Sequence, residues 1–266
     1  MPVPDSPRVV YEKNPLAEVI CQLRYPTIFR IGAEAPVQFQ ETIKAHFPIA
    51  QQKQIVSQVP PELVSLLPDA VSRNLPVISA FDFTTRDGAC TVTLTRDFLA
   101  LATKRYERWE WFQENLRIAL DALQKAFSVP FFVRVGLRYQ NVISRSSLEM
   151  EQVSWSLLLN HCVAGELADD NVAEDVRERF VVSMLQLGEY GAFVRLQHGL
   201  VMYQRDVHRQ TELCYLIDAD LYTEEQTEVD NVWYVLAYLN RQAGNLFRWC
   251  ISDRLHHALQ PRSLEA

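Results

Sequence analysis

The sequence predicts an α+β protein, and three observations carry that reading. Two segments alternate apolar and polar residues with period two and share a Leu-Arg-Tyr tripeptide: "EVICQLRY", with Val19, Cys21, Leu23 and Tyr25 on one side, and "VRVGLRY", with Val133, Val135, Leu137 and Tyr139. Each is followed by a set of short alternating segments separated by turn residues, the pattern of an antiparallel meander. Each set closes in a long stretch with apolar residues at helical spacing. Period two exposes one face of a strand and buries the other, so both sets predict a sheet covered by helices on one side.

The elements follow in order. Residues 1–16 carry Pro2, Pro4, Pro7 and Pro15 and read as an extended lead-in. The first strand, 18–25, ends at Pro26. Val37, Phe39, Ile43 and Phe47 predict a short helix, and residues 48–76 read as a long connection without regular structure. A three-strand meander then runs through "VISAFDF", an Asp87-Gly88 hairpin, "ACTVTLT" and "FLALATKRY". Trp109, Phe112, Leu116, Ala119, Leu120, Leu123 and Phe127 form the buried stripe of a helix that stops at Ser128-Val129-Pro130.

The second set starts with the strand at 133–143. "SWSLLLNHCVAGEL" predicts a helix capped by Ser154. "ERFVVSMLQL", a turn at Tyr190-Gly191, "AFVRLQHGLVMY" and "ELCYLIDADLY" form the second meander. One helix is then expected from about Val229 to Leu259, with Thr227 and Asp230 at its start and Val232, Leu236, Leu239, Ala243, Leu246, Cys250 and Leu255 on its buried side.

Val19, Leu23, Arg24 and Tyr25 match Val133, Leu137, Arg138 and Tyr139 at a constant offset of 114 (133 − 19, 139 − 25). With the repeated element order, this predicts an internal duplication into halves 1–130 and 131–266, packed as one unit. The layout is similar to that of TATA-binding-protein-like and helix-grip folds, an analogy that does not fix function.

"NPLAEVICQLRYP", "RVGLRYQNVI" and "LTRDFLALATKRYERWEWF" resemble a sporadically distributed family of uncharacterised bacterial proteins. Its members share an Asn-Pro-x-x-Glu-Val start, here Asn14, Pro15, Glu18 and Val19, and an Arg-Val-Gly-Leu-Arg-Tyr-x-Asn motif, here Arg134 to Tyr139 with Asn141. The resemblance implies length and layout, and its patchy distribution is suggestive of defence-associated genes. It implies no activity.

Composition narrows the function classes. Apolar residues at 48% and charged residues at 22% suit a globular domain, and the net charge of −7 opposes broad binding to nucleic-acid backbones or anionic membranes. Eight glycines and no Walker or GxGxxG pattern argue against phosphate loops. The five cysteines are scattered singly through apolar runs, as buried thiols are in a reducing compartment. With no apolar run of spanning length and no signal pattern, the expected location is cytoplasmic.

Candidate chemistry is sparse. Asp218 and Asp220 place two carboxylates on one strand face, a weak candidate for a divalent cation and more simply a solvated strand end. His256 and His257, with Asp253 and Cys250, read as a helix end rather than a metal set. His161 and Cys162 are adjacent, point apart on a helix, and are read as packing residues. The "RYERWEWF" run mixes Arg105, Tyr106, Arg108, Trp109 and Trp111, with Trp109 in the core and Trp111 offered to a partner. Alternation places Arg24 and Arg138 on the polar sheet face, so with Trp111 they are the candidate partner-binding residues. No catalytic residue, cofactor or resident metal is expected.

Two functional readings of different class follow. The first is a non-enzymatic protein-interaction or regulatory protein, an accessory or immunity-like partner in a bacterial defence or toxin system, acting with a protein partner or as a homo-oligomer. The alternative is a small-molecule-binding protein or enzyme with a cavity between the sheet and the long helices. A pocket with convergent polar groups favours the second, and a filled core with an exposed aromatic patch favours the first.

Overall fold

The computed structural model describes residues 3–56, 77–204 and 211–263. Its centre is a nine-stranded, wholly antiparallel sheet. The strands are β2 (Leu16–Arg24), β3 (Ile49–Val56), β4 (Val77–Thr84), β5 (Cys90–Thr95), β6 (Phe98–Thr103), β8 (Arg134–Ile143), β9 (Phe180–Gln186), β10 (Phe193–Tyr203) and β11 (Glu212–Thr223). They lie in the order β3-β4-β5-β6-β2-β8-β11-β10-β9. Four short strands pair outside this sheet: β1 (Val9–Tyr11) with β13 (Pro261–Ser263), and β7 (Phe131–Phe132) with β12 (Thr227–Glu228). The helices are α1 (Val37–Ile43), α2 (Trp109–Phe127), α3 (Val232–Cys250) and α4 (Asp253–Ala258).

The alternation read from the sequence is what builds the layers. Val19, Cys21 and Leu23 of β2 and Val135, Leu137 and Tyr139 of β8 are buried on one face, in one cluster with Phe112, Leu116 and Leu123 of α2 and Leu236, Leu239 and Leu246 of α3. Helix α2 packs over β6 and α3 over β8 and β11. The Arg117 guanidinium of α2 lies 4.8 Å from the Trp233 ring of α3, bridging the two helices.

Three expectations are corrected. Residues 49–56 of the expected connection form edge strand β3, paired with β4 from Ile49↔Thr84 to Val56↔Val77. The rest of that connection, 57–76, lies outside the described residues. The helix expected at 154–167 is broken into 3-10 turns at Trp155–Leu157 and Gly165–Ala168 and one helical turn at His161–Ala164, capped by Asn160 rather than Ser154. The helix expected over 229–259 starts with a 3-10 turn at Val229–Asn231 and stops at Cys250. The last two breaks share one cause. Leu159 bridges Ile251, Asn160 N–H donates to Cys250 O at 2.9 Å, and Ser252 N–H donates to Leu158 O at 2.9 Å. Tertiary pairing takes the backbone groups that helix continuation needs, and Ser252 then caps α4 through Leu255 N–H.

The two sets of strands mirror one another about β2 and β8, as β6-β5-β4 on one side and β11-β10-β9 on the other. The register differs from the 114 offset. Thr103 stands opposite Val19 in β2, and Thr223 stands opposite Val135 in β8. Each threonine hydroxyl donates to a hairpin carbonyl, Ala89 O at 2.8 Å or Tyr190 O at 2.7 Å, and each accepts the amide two residues on at 3.1 Å. This pair aligns Val19 with Val135 and Leu23 with Tyr139, an offset of 116. Tyr25 and Tyr139 are both buried, but Tyr25 lies beyond the end of β2 and Tyr139 in mid-strand.

Cys21, Cys90, Cys214 and Cys250 are buried, whereas Cys162 and His161 are exposed on the helical turn, against their reading as packing residues. Burial raises the Cys21 and Cys250 thiols, Cys250 to about 12. Titration of the native protein with a bulky thiol reagent is therefore expected to show one fast thiol, lost in Cys162→Ser. Two or more fast thiols contradict this packing.

Candidate functional site

The polar sheet face accounts for most of the residues singled out in the sequence. Arg138 engages Asp218 as a fork, with Nε donating to Oδ1 at 2.9 Å and Nη2 to Oδ2 at 2.6 Å, and Gln140 Nε2 adds a 3.3 Å contact. Asp218 is 3% exposed. Next to it, Arg134 Nη2 donates to Asp220 at 2.9 Å, Nη1 to Gln22 Oε1 at 3.2 Å, and the guanidinium lies 4.6 Å from the Tyr222 ring. A Cβ on Gly136 would come 2.3 Å from Arg134 Nη1, so the glycine makes room for that arginine. Arg24 is held loosely, 3.7 Å from Asp97. Trp111 is not exposed as expected but half-buried against the core. The carboxylates considered for a cation are thus occupied by arginines, and no set of three or more candidate metal ligands occurs among the described residues.

A second polar cluster is buried between β10, β11 and the helical turn. His198 Nδ1 lies 2.8 Å from the Tyr215 hydroxyl, which donates to Val163 O at 3.0 Å. Arg179 Nη1 donates to the same hydroxyl at 3.0 Å, and its Nε donates to Glu166 at 2.7 Å. Burial, helped by Arg179, lowers the His198 imidazole to about 4. This network closes the hydrogen bonds of a packed region.

The open space lies elsewhere, on the helix-covered face. A partly open cavity of about 710 Å³ is bordered by β8, the start of α2, one face of α3 and the N-terminal lead-in. Tyr139, Asn141 and Leu16 form its floor. Ala237, Asn240, Arg241, Gly244, Asn245 and Arg248 form the α3 wall, at the three- and four-residue spacing that keeps one helix face together. Tyr106, Arg108 and Trp109 form the opposite wall.

The lead-in is fastened across the opening. Asn245, 2% exposed, accepts from Ser6 N–H at 3.0 Å and Ser6 Oγ at 3.1 Å, and its Nδ2 donates to Asp5 at 2.7 Å. Arg8 pairs with Glu110 at 2.7 Å, and the Tyr11 hydroxyl meets His256 Nδ1 at 2.8 Å. At the other end of the lead-in, Asn14 Oδ1 accepts from Leu16 N–H and its Nδ2 donates to Tyr106 O, both at 3.0 Å. This asparagine turn steers the chain into β2 beside the cavity.

On the floor, Tyr139 donates to Asn240 Oδ1 at 2.8 Å and stands 3.4 Å from the Tyr106 hydroxyl. Burial drives the Tyr139 phenol well above its usual range and the Tyr106 and Tyr11 phenols up to about 12. All three therefore stay neutral at physiological pH and serve as hydrogen-bonding groups rather than bases. Tyr11, Trp109, Leu16 and Phe247 supply apolar surface, and four asparagines supply amides. The arrangement suits binding, with no nucleophile–base pair on its walls.

Sequence reasoning placed Asn14, Tyr139 and Asn141 in motifs, Tyr106 at the end of a meander strand and Trp109 in the helix core, but it did not bring them together. One signal was available. Gly244 lies beside Asn240, Arg241 and Asn245, a polar patch with a glycine inside an otherwise regular amphipathic helix. A Cβ at Gly244 meets no atom within 4 Å. Gly244→Ala is therefore expected to raise stability by about 0.5–1 kcal/mol, the helix-propensity difference. Urea denaturation checks it, and a destabilised variant would show that the space is not open.

Among the described residues no helix is long and apolar enough to cross a membrane. In comparisons with known proteins, no protein-family model matches the chain and no curated protein is significantly similar to it.

Proposed function

We propose that the protein binds a small molecule in the space between the sheet and the long helices. The observation that carries this reading is the 710 Å³ cavity itself, within the size range of ligand sites and lined by apolar surface with convergent hydroxyl, amide and guanidinium groups. The buried Tyr106–Tyr139–Asn240 chain supports it, because Asn240 Nδ2 makes no hydrogen bond to a described residue while lining the cavity. Native mass spectrometry of the protein isolated from cells tests it. The wild type is expected to carry a small mass released on denaturation, and Gly244→Phe, which places a ring in the open space beside the α3 wall, is expected to lack it. An identical adduct on both proteins, or none on either, overturns the reading.

A protein-interaction role is the second reading, and a different surface favours it. Edge strand β9 presents Phe180, Val182 and Met184, each more than half exposed, with no charged residue among its seven. A neutral, apolar edge is suited to pairing with another strand. Under this reading the contact is made by β9; of the residues singled out in the sequence, Arg138 is bound to Asp218 and Trp111 is half-buried, while Arg24 stays partly exposed, 3.7 Å from Asp97. Sedimentation of wild type against Val182→Lys reads it out, with a shift to smaller species expected and unchanged sedimentation against it.

We also propose that the halves descend from one strand-helix-meander-helix unit, supported by the mirrored strand order and the Thr103/Thr223 pair. Related sequences whose halves align at an offset of 116 would strengthen it. Halves that align in no register would remove it.

A further inference from the structure

We propose that the cavity's ligand is an organic anion, with a flat apolar body and a carboxylate or phosphate head held by Arg108 and Arg241. The inference rests on the small-molecule reading above and adds the chemical class.

Charge is the first argument. In a chain of net charge −7, the cavity walls carry Arg8, Arg108, Arg241 and Arg248 against one acid, Asp5. Two of these arginines are matched from outside the walls, Arg8 by Glu110 and Arg248 by Asp253. Arg108 makes no ion pair within 4 Å among the described residues, and its one charged neighbour of note, Glu110, is already paired with Arg8. Arg241 has only Asp5, at 3.7 Å, and Asp5 also accepts from Asn245. The positive charge left over thus lies on Arg108 beside the start of α2 and Arg241 on the α3 wall.

Backbone polarity adds to it. Helix α2 begins at Trp109 with Arg108 as its N-cap, and no side chain caps its first amides. The positive end of a nineteen-residue helix therefore opens on the wall that carries Arg108.

Shape supplies the rest. Gly244 leaves the α3 wall without a side chain between Arg241 and Arg248, and aromatic surface from Tyr106, Trp109 and Phe247 lines the same space. A flat apolar body fits against these rings while its head reaches the guanidiniums, which bind carboxylate and phosphate oxygens in a planar fork.

The test uses 8-anilinonaphthalene-1-sulfonate, an aromatic anion that fluoresces when bound, and N-phenyl-1-naphthylamine, the same body without the charge. The full chain is expected to bind one equivalent of the sulfonate and to bind the neutral compound more weakly. Arg108→Ala with Arg241→Ala is expected to weaken the sulfonate about tenfold or more and the neutral compound less than about twofold. Both arginines are exposed, so the variant folds, which its melting temperature verifies. Gly244→Phe is expected to abolish both signals. Competition by 1-naphthoate and 1-naphthyl phosphate identifies the head group.

Equal affinity for the charged and neutral probes, insensitivity to the arginine pair, or displacement by neither competitor overturns the anion assignment while leaving the cavity reading standing. Binding of neither probe, or binding unaffected by Gly244→Phe, overturns both.

Discussion

Arg138→Ala is expected to destabilise the protein by about 3 kcal/mol, a larger effect than any other single substitution on the polar sheet face. The reason is the partner. Asp218 is 3% exposed and accepts both arms of the guanidinium. Removing Arg138 leaves a buried carboxylate with only the 3.3 Å contact from Gln140 among the side-chain contacts described above. The loss comes from that uncompensated charge rather than from the attraction of the pair. Arg138→Met combined with Asp218→Leu, which removes both charges, should recover most of it. Urea denaturation of the wild type, Arg138→Met, Asp218→Leu and the double variant gives the coupling directly. A loss under about 1 kcal/mol for Arg138→Ala would show that the pair behaves as a solvated surface bridge. Arg24 is the internal comparison: with Asp97 at 3.7 Å, Arg24→Ala should cost no more than such a surface pair.

Acidification is expected to destabilise the fold through His198. Its folded-state value is lowered to about 4, chiefly by burial, while an unfolded histidine titrates near 6.5. Between these values the unfolded chain binds the extra proton, so stability rises with pH through this window. The neutral imidazole's contribution is fully present above about 6.5 and is lost progressively as pH falls to about 4. Across the window it amounts to no more than about 3 kcal/mol. His198→Asn keeps a donor toward the Tyr215 hydroxyl and cannot titrate. Urea midpoints from pH 7.5 to pH 4 should fall less steeply for the variant than for the wild type, the difference corresponding to about one proton. Parallel curves would show that His198 protonates in place.

The large features of this fold were legible in the sequence because they depend on periodicity. Alternation set the buried face of β2 and β8, and the stripe from Trp109 to Phe127 set α2, because both patterns report burial on one side. What escaped was decided by contacts distant in sequence. The break at Ile251 follows from its bridge to Leu159, about ninety residues earlier, and no local preference signals it. Strand β3 was read as loop because its Gln-rich, mostly exposed sequence lacks a buried face, as an edge strand does. The shared Leu-Arg-Tyr tripeptides stand 114 residues apart, whereas Val19 and Val135, the residues opposite Thr103 and Thr223, stand 116 apart (135 − 19).

The cavity was less legible still. Its walls come from residues 5–16, 106–109, 139–141 and 237–248, and a cavity is set by what fails to fill a space. The alternation that buried Tyr139 correctly said nothing of Asn240 across from it. The DAD carboxylates, prominent in sequence, proved to be arginine partners. Gly244 leaves part of the α3 wall without a side chain.

The most direct measurement of the central claim is a crystal structure of the protein with 8-anilinonaphthalene-1-sulfonate bound. The account expects the naphthalene ring between Tyr106 and Phe247, above Leu16, with the sulfonate against Arg108 and Arg241. A probe seated on the exposed edge of β9, with side chains filling the space beside Gly244, would contradict it.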